Sequence, residues 1–360
     1  MLNIGIVGLA QVGKTTLFRA MTHAHGTGLG SHKPEAHIGV VHVPDPRLDQ
    51  LAELIRPKKT VHASVEYVDT PGSVIELARS GAQTAMLRDM DALAHVVRAF
   101  EDDSIPAAGG SVDPRRDIEN VELELILSDL TSVEKRLERL GKDIKKQKSA
   151  VLEKEYHILE RCKQALEKQT PLRELPLPPD EEKVIRGFTF LSFKPVLYVL
   201  NVGEKDAAKT HAADAHAAEL GMKPRPKTEV TAVCGKIEAE LAEMDDAEAA
   251  EFLASYDLTE SAVTRVVRSG YHLLGLISFF TVSDIECHAW TVRAGTTAVE
   301  TAGEVHTDLQ KGFIRAEVLR YDELIRAGGL AEARQHGALR LEGRDYVVKD
   351  GEVVYIRHSG

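Results

Sequence analysis

The chain has 360 residues, a net charge of −11, three cysteines and no apolar run that approaches a membrane span in length. That length supports two or three domains with cores of their own, while the acidic balance excludes nucleic-acid binding through the overall field and leaves only local basic patches for an RNA contact. Cys162, Cys234 and Cys287 are far apart and form no C-x-x-C pair, so a reducing cytosol is expected, not a disulfide framework.

The first element is a strand, Asn3-Ile4-Gly5-Ile6-Val7, so no signal peptide is expected ahead of the fold. Gly8-Leu9-Ala10-Gln11-Val12-Gly13-Lys14-Thr15 follows without a gap and fills G-x-x-x-x-G-K-[ST], and Thr16 to Met21 continues as a helix. Strand, loop and helix in that order are the context a phosphate-binding loop requires. Gly8 and Gly13 let the backbone curl so that its N–H groups converge on phosphate oxygens at a helix N-terminus. Gln11, Val12, Gly13, Lys14, Thr15 and Thr16 are therefore expected to bind nucleotide. Lys14 reaches the β- and γ-phosphates, and the Thr15 hydroxyl can ligate Mg²⁺.

The stretch Thr22 to Pro34 lacks either regular period and is expected to be a mobile switch loop. His23, His25, His32, His37 and His42 crowd it and its surroundings, but their spacings follow no zinc pattern. Ile38 to Val43 reads as a strand ended by Pro44-Asp45-Pro46, and Val65 to Val68 as another that leads into Asp69-Thr70-Pro71-Gly72. An Asp at the end of an apolar strand, then a Gly whose N–H can meet the γ-phosphate, is the Walker-B arrangement of GTPase-like P-loop proteins. Asp69 is expected to hold Mg²⁺ with Thr15, and Gly72 to act beside Lys14 in hydrolysis. Ser73 occupies the position where Ras-like proteins carry a water-orienting Gln, which excludes direct Gln catalysis there.

Ala92 to Phe100 reads as the fourth strand and its edge. From Ile118 to Leu166 the pattern turns helical, with Ile126, Leu130, Val133, Leu137, Leu140 and Ile144 alternating steps of four and three. A second series runs through Val151, Ile158 and Ala165 beside Leu152, Leu159 and Leu166. Lys145-Lys146-Gln147-Lys148-Ser149 between them is the expected turn of an antiparallel helical hairpin. Its lysines read most simply as a solvated face, with a tip that docks RNA phosphate as the alternative.

Lys194 to Asn201 resumes the α/β pattern and ends in Asn201-Val202-Gly203-Glu204, where a guanine reader would have N-K-x-D. The Lys under the base has become Val202, and the carboxylate is one methylene longer at Glu204, so adenine becomes acceptable. Glu229 to Val233 is a further strand that leads to Cys234-Gly235-Lys236, the expected base-contacting loop. Beyond about Phe279 come short β-runs, a helix near Ala302–Gln310, and Asp350-Gly351 between apolar runs, a hairpin signal. His306, Asp308, Lys311 and Arg315 lack an accompanying nucleophile, so they read as structural or partner-docking residues.

These pieces in this order resemble the YchF/Obg-like ATPase family of translation-factor-related P-loop proteins. The likeness rests on Val43-Pro44-Asp45-Pro46-Arg47-Leu48-Asp49, Gly110-Ser111-Val112-Asp113-Pro114, Leu123 to Leu127, Lys236-Ile237-Glu238-Ala239-Glu240-Leu241 and the Asn201–Glu204 motif. At the C-terminus, Ala289 to Arg293, His306 to Asp308, Lys311 to Glu317 and Arg344 to Val348 look like the family's TGS domain. The resemblance implies ATP acceptance, with GTP as a further substrate, and docking on a ribosome or ribosomal RNA with Lys311 and Arg315 as phosphate contacts. It also marks departures. Ala10-Gln11 stands where the family has Pro-Asn, which leaves a role for K⁺ open, and Lys33 stands at the switch I Thr. Ser73 stands at the family's hydrophobic position, and Ala107 at a loop histidine that the family uses in hydrolysis.

The expected architecture is an α/β P-loop NTPase of the Ras-like/Obg-type G-domain class over 1–120 and 190–278. A helical coiled-coil hairpin is inserted at 121–189, and an α+β, β-grasp-like TGS domain closes the chain at 279–360. The expected function is a Mg²⁺-dependent, cytoplasmic, monomeric nucleoside triphosphatase that binds ATP at Lys14, Asn201, Val202, Glu204, Cys234 and Gly235 and switches on a ribosome, without contact with membranes. The alternative is a nucleotide-gated RNA- or protein-binding module with negligible turnover.

Overall fold

The strands, in chain order, are β1 (Asn3–Val7), β2 (Gly26–Leu29), β3 (His37–His42), β4 (Lys59–Val61), β5 (Ser64–Asp69), β6 (Ala92–Ala99), β7 (Val196–Val202), β8 (Thr228–Val233), β9 (Leu276–Val282), β10 (Glu286–Arg293), β11 (Phe313–Arg320), β12 (Arg340–Glu342) and β13 (Glu352–His358). The structure, a computed structural model, describes residues 2–29, 37–70, 72–75, 81–147 and 149–359. Two compact units emerge, Met1–Val40 with Glu66–Leu273, and Val41–Val65 with Leu274–Gly360.

The first unit is built on a sheet of order β2-β3-β5-β1-β6-β7-β8. The ladders joining β5, β1, β6, β7 and β8 are all parallel. β6 and β7 are buried almost from end to end, as expected of strands covered on both faces. Helix α1 (Lys14–His25) packs against the helices Gly235–Leu241 and Ala262–Leu273. The region expected to be an irregular loop from Thr22 carries the last turn of α1 and β2. β2 forms through its backbone bonds to β3, which side-chain periodicity does not register. His32, Lys33 and Lys148 lie outside the described residues.

The helical hairpin is α2 (Pro114–Lys146) followed by α3 (Ala150–Glu167). α2 starts four residues before Ile118 because Asp113 caps it, accepting a hydrogen bond from the Arg116 N–H, with Pro114 preset for the first turn. Ile126, Val133 and Leu140 are buried against Ile158, Leu159, Cys162 and Leu166, and Leu130, Leu137 and Ile144 pack at the margin of the same core. Ala165 is buried too, whereas Val151 is 75% exposed. The seam on α3 therefore begins at Leu152, one position after the residue expected to open the series. Arg136–Glu155 and Lys163–Glu134 bridge the two helices across the seam.

The base of the hairpin is held by buried polar groups. Asp129 on α2 accepts hydrogen bonds from the Leu191 and Ser192 N–H groups at 2.9 and 2.7 Å. Burial outweighs those bonds and pushes its pKa up to about 6. Glu122, two turns earlier, pairs with the Arg173 guanidinium and accepts the Tyr198 hydroxyl at 3.1 Å. Since Tyr198 lies on β7, the same carboxylate ties α2 to the strand that carries Asn201.

The second unit is a mixed sheet of order β12-β11-β13-β9-β10-β4. Residues 41–65, assigned from sequence to the first domain, cluster here. β4 runs parallel to β10, and the helix Pro46–Ile55 buries Leu48 and Leu51. Arg47 anchors the segment: it pairs with Asp45 and with Asp350, and lies 5.5 Å from the Phe280 ring centroid. Asp350-Gly351 does not close the expected hairpin. Tyr346 and Val348 instead exchange backbone bonds with Ala298 and Thr296, while Asp350 accepts from the Ser278 N–H and Gly351 donates its N–H to the Ser278 carbonyl. The local turn itself forms, the Glu352 N–H donating to the Lys349 carbonyl, but the run before it pairs with residues 296–298 and not with β13. Among the described residues no helix is long and apolar enough to cross a membrane.

Candidate functional site

The C-terminal ends of β1, β5, β6, β7 and β8 surround a cavity of about 1020 Å³ in the first unit. Ligands of open parallel sheets bind at that edge, because the chain leaves it through loops whose N–H groups point outward. Gln11, Gly13, Lys14, Thr15, Thr16, Gly72, Asn201, Val202, Glu204, Cys234 and Gly235 all line it. Val12 and Asp69 are the expected site residues not among its lining.

The loop between β1 and α1 is fixed by steric limits at two glycines. A Cβ on Gly8 (φ +155) would stand 2.5 Å from the Val96 carbonyl oxygen, and one on Gly13 (φ +99) would stand 2.4 Å from Asn201 Nδ2. Lys14 is buried, and its Nζ donates to the Leu9 carbonyl at 2.8 Å and the Gly8 carbonyl at 3.3 Å. These two bonds are to neutral acceptors, which a charged phosphate oxygen can replace.

Thr15 Oγ1 donates to Asp69 Oδ2 at 2.9 Å, and Asp69 Oδ1 is buried with no hydrogen-bond partner among the described residues. Burial pushes the Asp69 pKa up; the Thr15 hydrogen bond and the charges of Lys14, His37 and Arg19 oppose it. An unsatisfied buried carboxylate oxygen beside a hydroxyl is a hard donor pair that suits Mg²⁺. Thr70 is tied to β1 through a 2.6 Å bond from its hydroxyl to the Ile6 carbonyl, and Gly72 follows with φ +74. Ser73 Oγ accepts from the Ile75 N–H at 3.3 Å. Ala107 does not reach the cavity wall.

Asn201 links the two ends of the site. Its Nδ2 donates to the Val12 carbonyl at 2.9 Å, and its Oδ1 accepts from the Gly235 N–H at 2.9 Å. The amide is therefore engaged in joining the phosphate loop to the junction of β8 with the helix Gly235–Leu241, which stands where the sequence leads one to expect a loop at Cys234–Lys236. Val202 is buried, and the Cys234 thiol is buried, with its pKa raised by desolvation. Glu204 Oε2 receives a 2.8 Å bond from Lys236 Nζ, so the carboxylate at the guanine-reading position already has a cationic partner. Sequence reasoning overlooked one wall, Phe100, Glu101, Asp102 and Ile105. The signal it left unused is Arg98, a charged residue in a buried strand whose other members are apolar save His95.

Residues 3–154 match the family model described as a 50S ribosome-binding GTPase. Residues 276–359 match the YchF-GTPase C-terminal model, whose description reads "Protein of unknown function (DUF933)". The chain is 40% identical to the "Ribosome-binding ATPase YchF" of Bacillus subtilis over 99% of each chain. It is also 40% identical to the protein of that name from Escherichia coli O157:H7 over 97% of each. Among solved structures, that of the Schizosaccharomyces pombe YchF GTPase matches with a TM-score of 0.85 and 30% identity, covering 99% of this chain and 97% of that one.

Proposed function

The chain belongs to the YchF family, and on that footing we propose that it is a ribosome-associated ATPase whose nucleotide occupies the cavity at the ends of β1, β5, β6, β7 and β8. The observation that carries the site is the Lys14–Thr15–Asp69 cluster with its unpartnered Asp69 oxygen. Lys14 leaves the Leu9 and Gly8 carbonyls for the β- and γ-phosphates, which as charged acceptors bind it more strongly. Thr15 and Asp69 hold Mg²⁺, which when bound neutralises phosphate charge. The N–H groups of Gln11, Gly13 and Thr16 complete the phosphate cradle, and the Gly72 N–H meets the γ-phosphate. Loss of that phosphate takes away the partner of the Gly72 N–H, the event on which a nucleotide switch turns.

At the base end, Val202 lies under the ring, and Cys234 and Gly235 close the other side. Because Lys236 already holds Oε2 of Glu204, only Oε1 is left unengaged for the two guanine N–H donors. Side-by-side titration is expected to give ATP affinity at least comparable with that for GTP. A hundredfold preference for GTP, about 2.7 kcal/mol, overturns this reading of the base site.

With Ser73 after Gly72 and Ala107 away from the cavity, the described residues offer no side chain to orient water at those two positions. Single-turnover hydrolysis of bound ATP by the isolated protein is therefore expected at roughly 10⁻³–10⁻⁴ s⁻¹, the range of unassisted Ras-like proteins, and to rise when ribosomes are added. Several turnovers per second without a partner contradict the site assignment. A rate unmoved by ribosomes favours the alternative, a nucleotide-gated binding module.

Ribosome docking uses local basic groups on an acidic, monomeric, cytoplasmic protein. Lys145 and Lys146 stand at the hairpin tip, one turn beyond Lys142, which is paired with Glu138. In the second unit, which we read as a TGS domain, Lys311 and Arg315 are exposed. Each phosphate contact among them steepens the salt dependence of binding by about one unit.

A further inference from the structure

We infer that Arg98 is a positioning residue for the nucleoside side of the cavity, where it holds residues 100–106 as the wall against which base and ribose seat. The inference rests on the nucleotide reading above and deepens it.

Ala92 to Val97 of β6 are buried, and Arg98 continues the strand at 4% exposure. A guanidinium withdrawn from water so completely costs several kcal/mol unless its donors are matched. Among the described residues no carboxylate stands within ion-pair distance of Arg98; its partners are main-chain carbonyls. Nε donates to the Phe100 carbonyl at 3.1 Å, Nη1 to those of Ile105 and Pro106 at 3.0 and 3.2 Å, and Nη2 to that of Asp102 at 3.2 Å. The guanidinium carbon also lies 4.6 Å from the Phe100 ring centroid.

Residues 100–106 contain neither helix nor strand; one backbone turn, Ile105 N–H to the Asp102 carbonyl, is their own, and the Phe100, Ile105 and Pro106 carbonyls find their donor in Arg98. The planar fork of Arg98 binds both ends of the segment from inside, adding to that single turn the bonds that set its course. Only Phe100, Glu101, Asp102 and Ile105 of this segment reach the cavity, on the same rim as Val202 and Glu204. The strand ladder places Arg98 opposite Asn201 and Ala99 opposite Val202, so the loop leaves β6 level with the base motif. A strand that needed only to fill its core would do so more cheaply with an apolar residue. What the arginine adds is the fixed course of the loop.

The phosphate end owes nothing to this arrangement: Lys14, Thr15 and Asp69 are held by other partners. Arg98 should therefore matter to ATP and not to the bare phosphate chain. Calorimetric affinities for Mg-ATP and for Mg-tripolyphosphate in wild type, Arg98→Met and Arg98→Lys separate the two. Arg98→Met is expected to weaken ATP by about tenfold, the cost of reordering a released loop, while tripolyphosphate changes by less than about twofold. Arg98→Lys, which keeps the charge but not the fork, is expected to fall between, with faster amide exchange across residues 100–106 in the free protein. If Arg98→Met fails to fold, Arg98→Lys carries the test. Equal losses for both ligands, or ATP affinity unchanged in the variant that folds, overturn the inference. A wild type that binds neither ligand instead removes the nucleotide reading on which it stands.

Discussion

Lys14→Ala is expected to weaken ATP binding by at least a hundredfold, about 2.7 kcal/mol, while the protein melts close to the wild-type temperature. The asymmetry follows from what Nζ touches. Its bonds in the free protein include those to the neutral carbonyls of Leu9 and Gly8 at the mouth of an open cavity, which water can reach when the side chain is cut back. In the complex it faces the β- and γ-phosphates, and loss of a buried, charge-assisted partner costs about 2–5 kcal/mol. Isothermal titration and thermal melting of the same samples decide the matter. A variant that melts normally and still binds ATP like the wild type would remove Lys14 from the site.

Arg173→Met is expected to lower stability by about 3–5 kcal/mol, the effect of breaking a buried ion pair and stranding the other charge. The Arg173 side chain is fully buried; it pairs with Glu122 and donates to the Ser192 carbonyl at 3.1 Å. Without it, Glu122 keeps only the Tyr198 hydroxyl and must sit charged in the interior or take up a proton. The double variant Glu122→Gln with Arg173→Met should recover much of the loss, since it removes the stranded charge. Urea unfolding followed by helical circular dichroism reads both. A single-variant loss below about 1 kcal/mol, or a double variant no more stable than the single, would show that the pair does not hold the hairpin to β7.

What the residues alone determine here is local. The phosphate loop was legible because eight consecutive residues, Gly8 to Thr15, encode a backbone path that only their glycines permit, and because the strand before and the helix after announce themselves by period. Asp69 was legible as the last residue of an apolar strand, and the hairpin as a seam repeated over several turns that needs only its own sequence to be recognised. The family resemblance drew on the same short segments.

The tertiary structure decided everything that depends on a partner chosen from far along the chain. Asn201 reads as a base contact from its motif, yet folding brings Val12 and Gly235 to both ends of its amide, 189 and 34 residues away. Glu204 reads as a base contact, and folding places the Lys236 ammonium, 32 residues on, beside its carboxylate. Arg47, in a segment that sequence order assigns to the nucleotide domain, finds Asp350 across 303 residues and carries residues 41–65 into the second unit. Asp350 in turn gives up the local hairpin for Arg47 and the Ser278 N–H. Backbone conformation is set by nearest neighbours and so leaves a pattern in the sequence. The partner of a buried charge or amide is set by whichever group the packed chain delivers within about 3 Å, and spacing along the sequence holds no record of that distance.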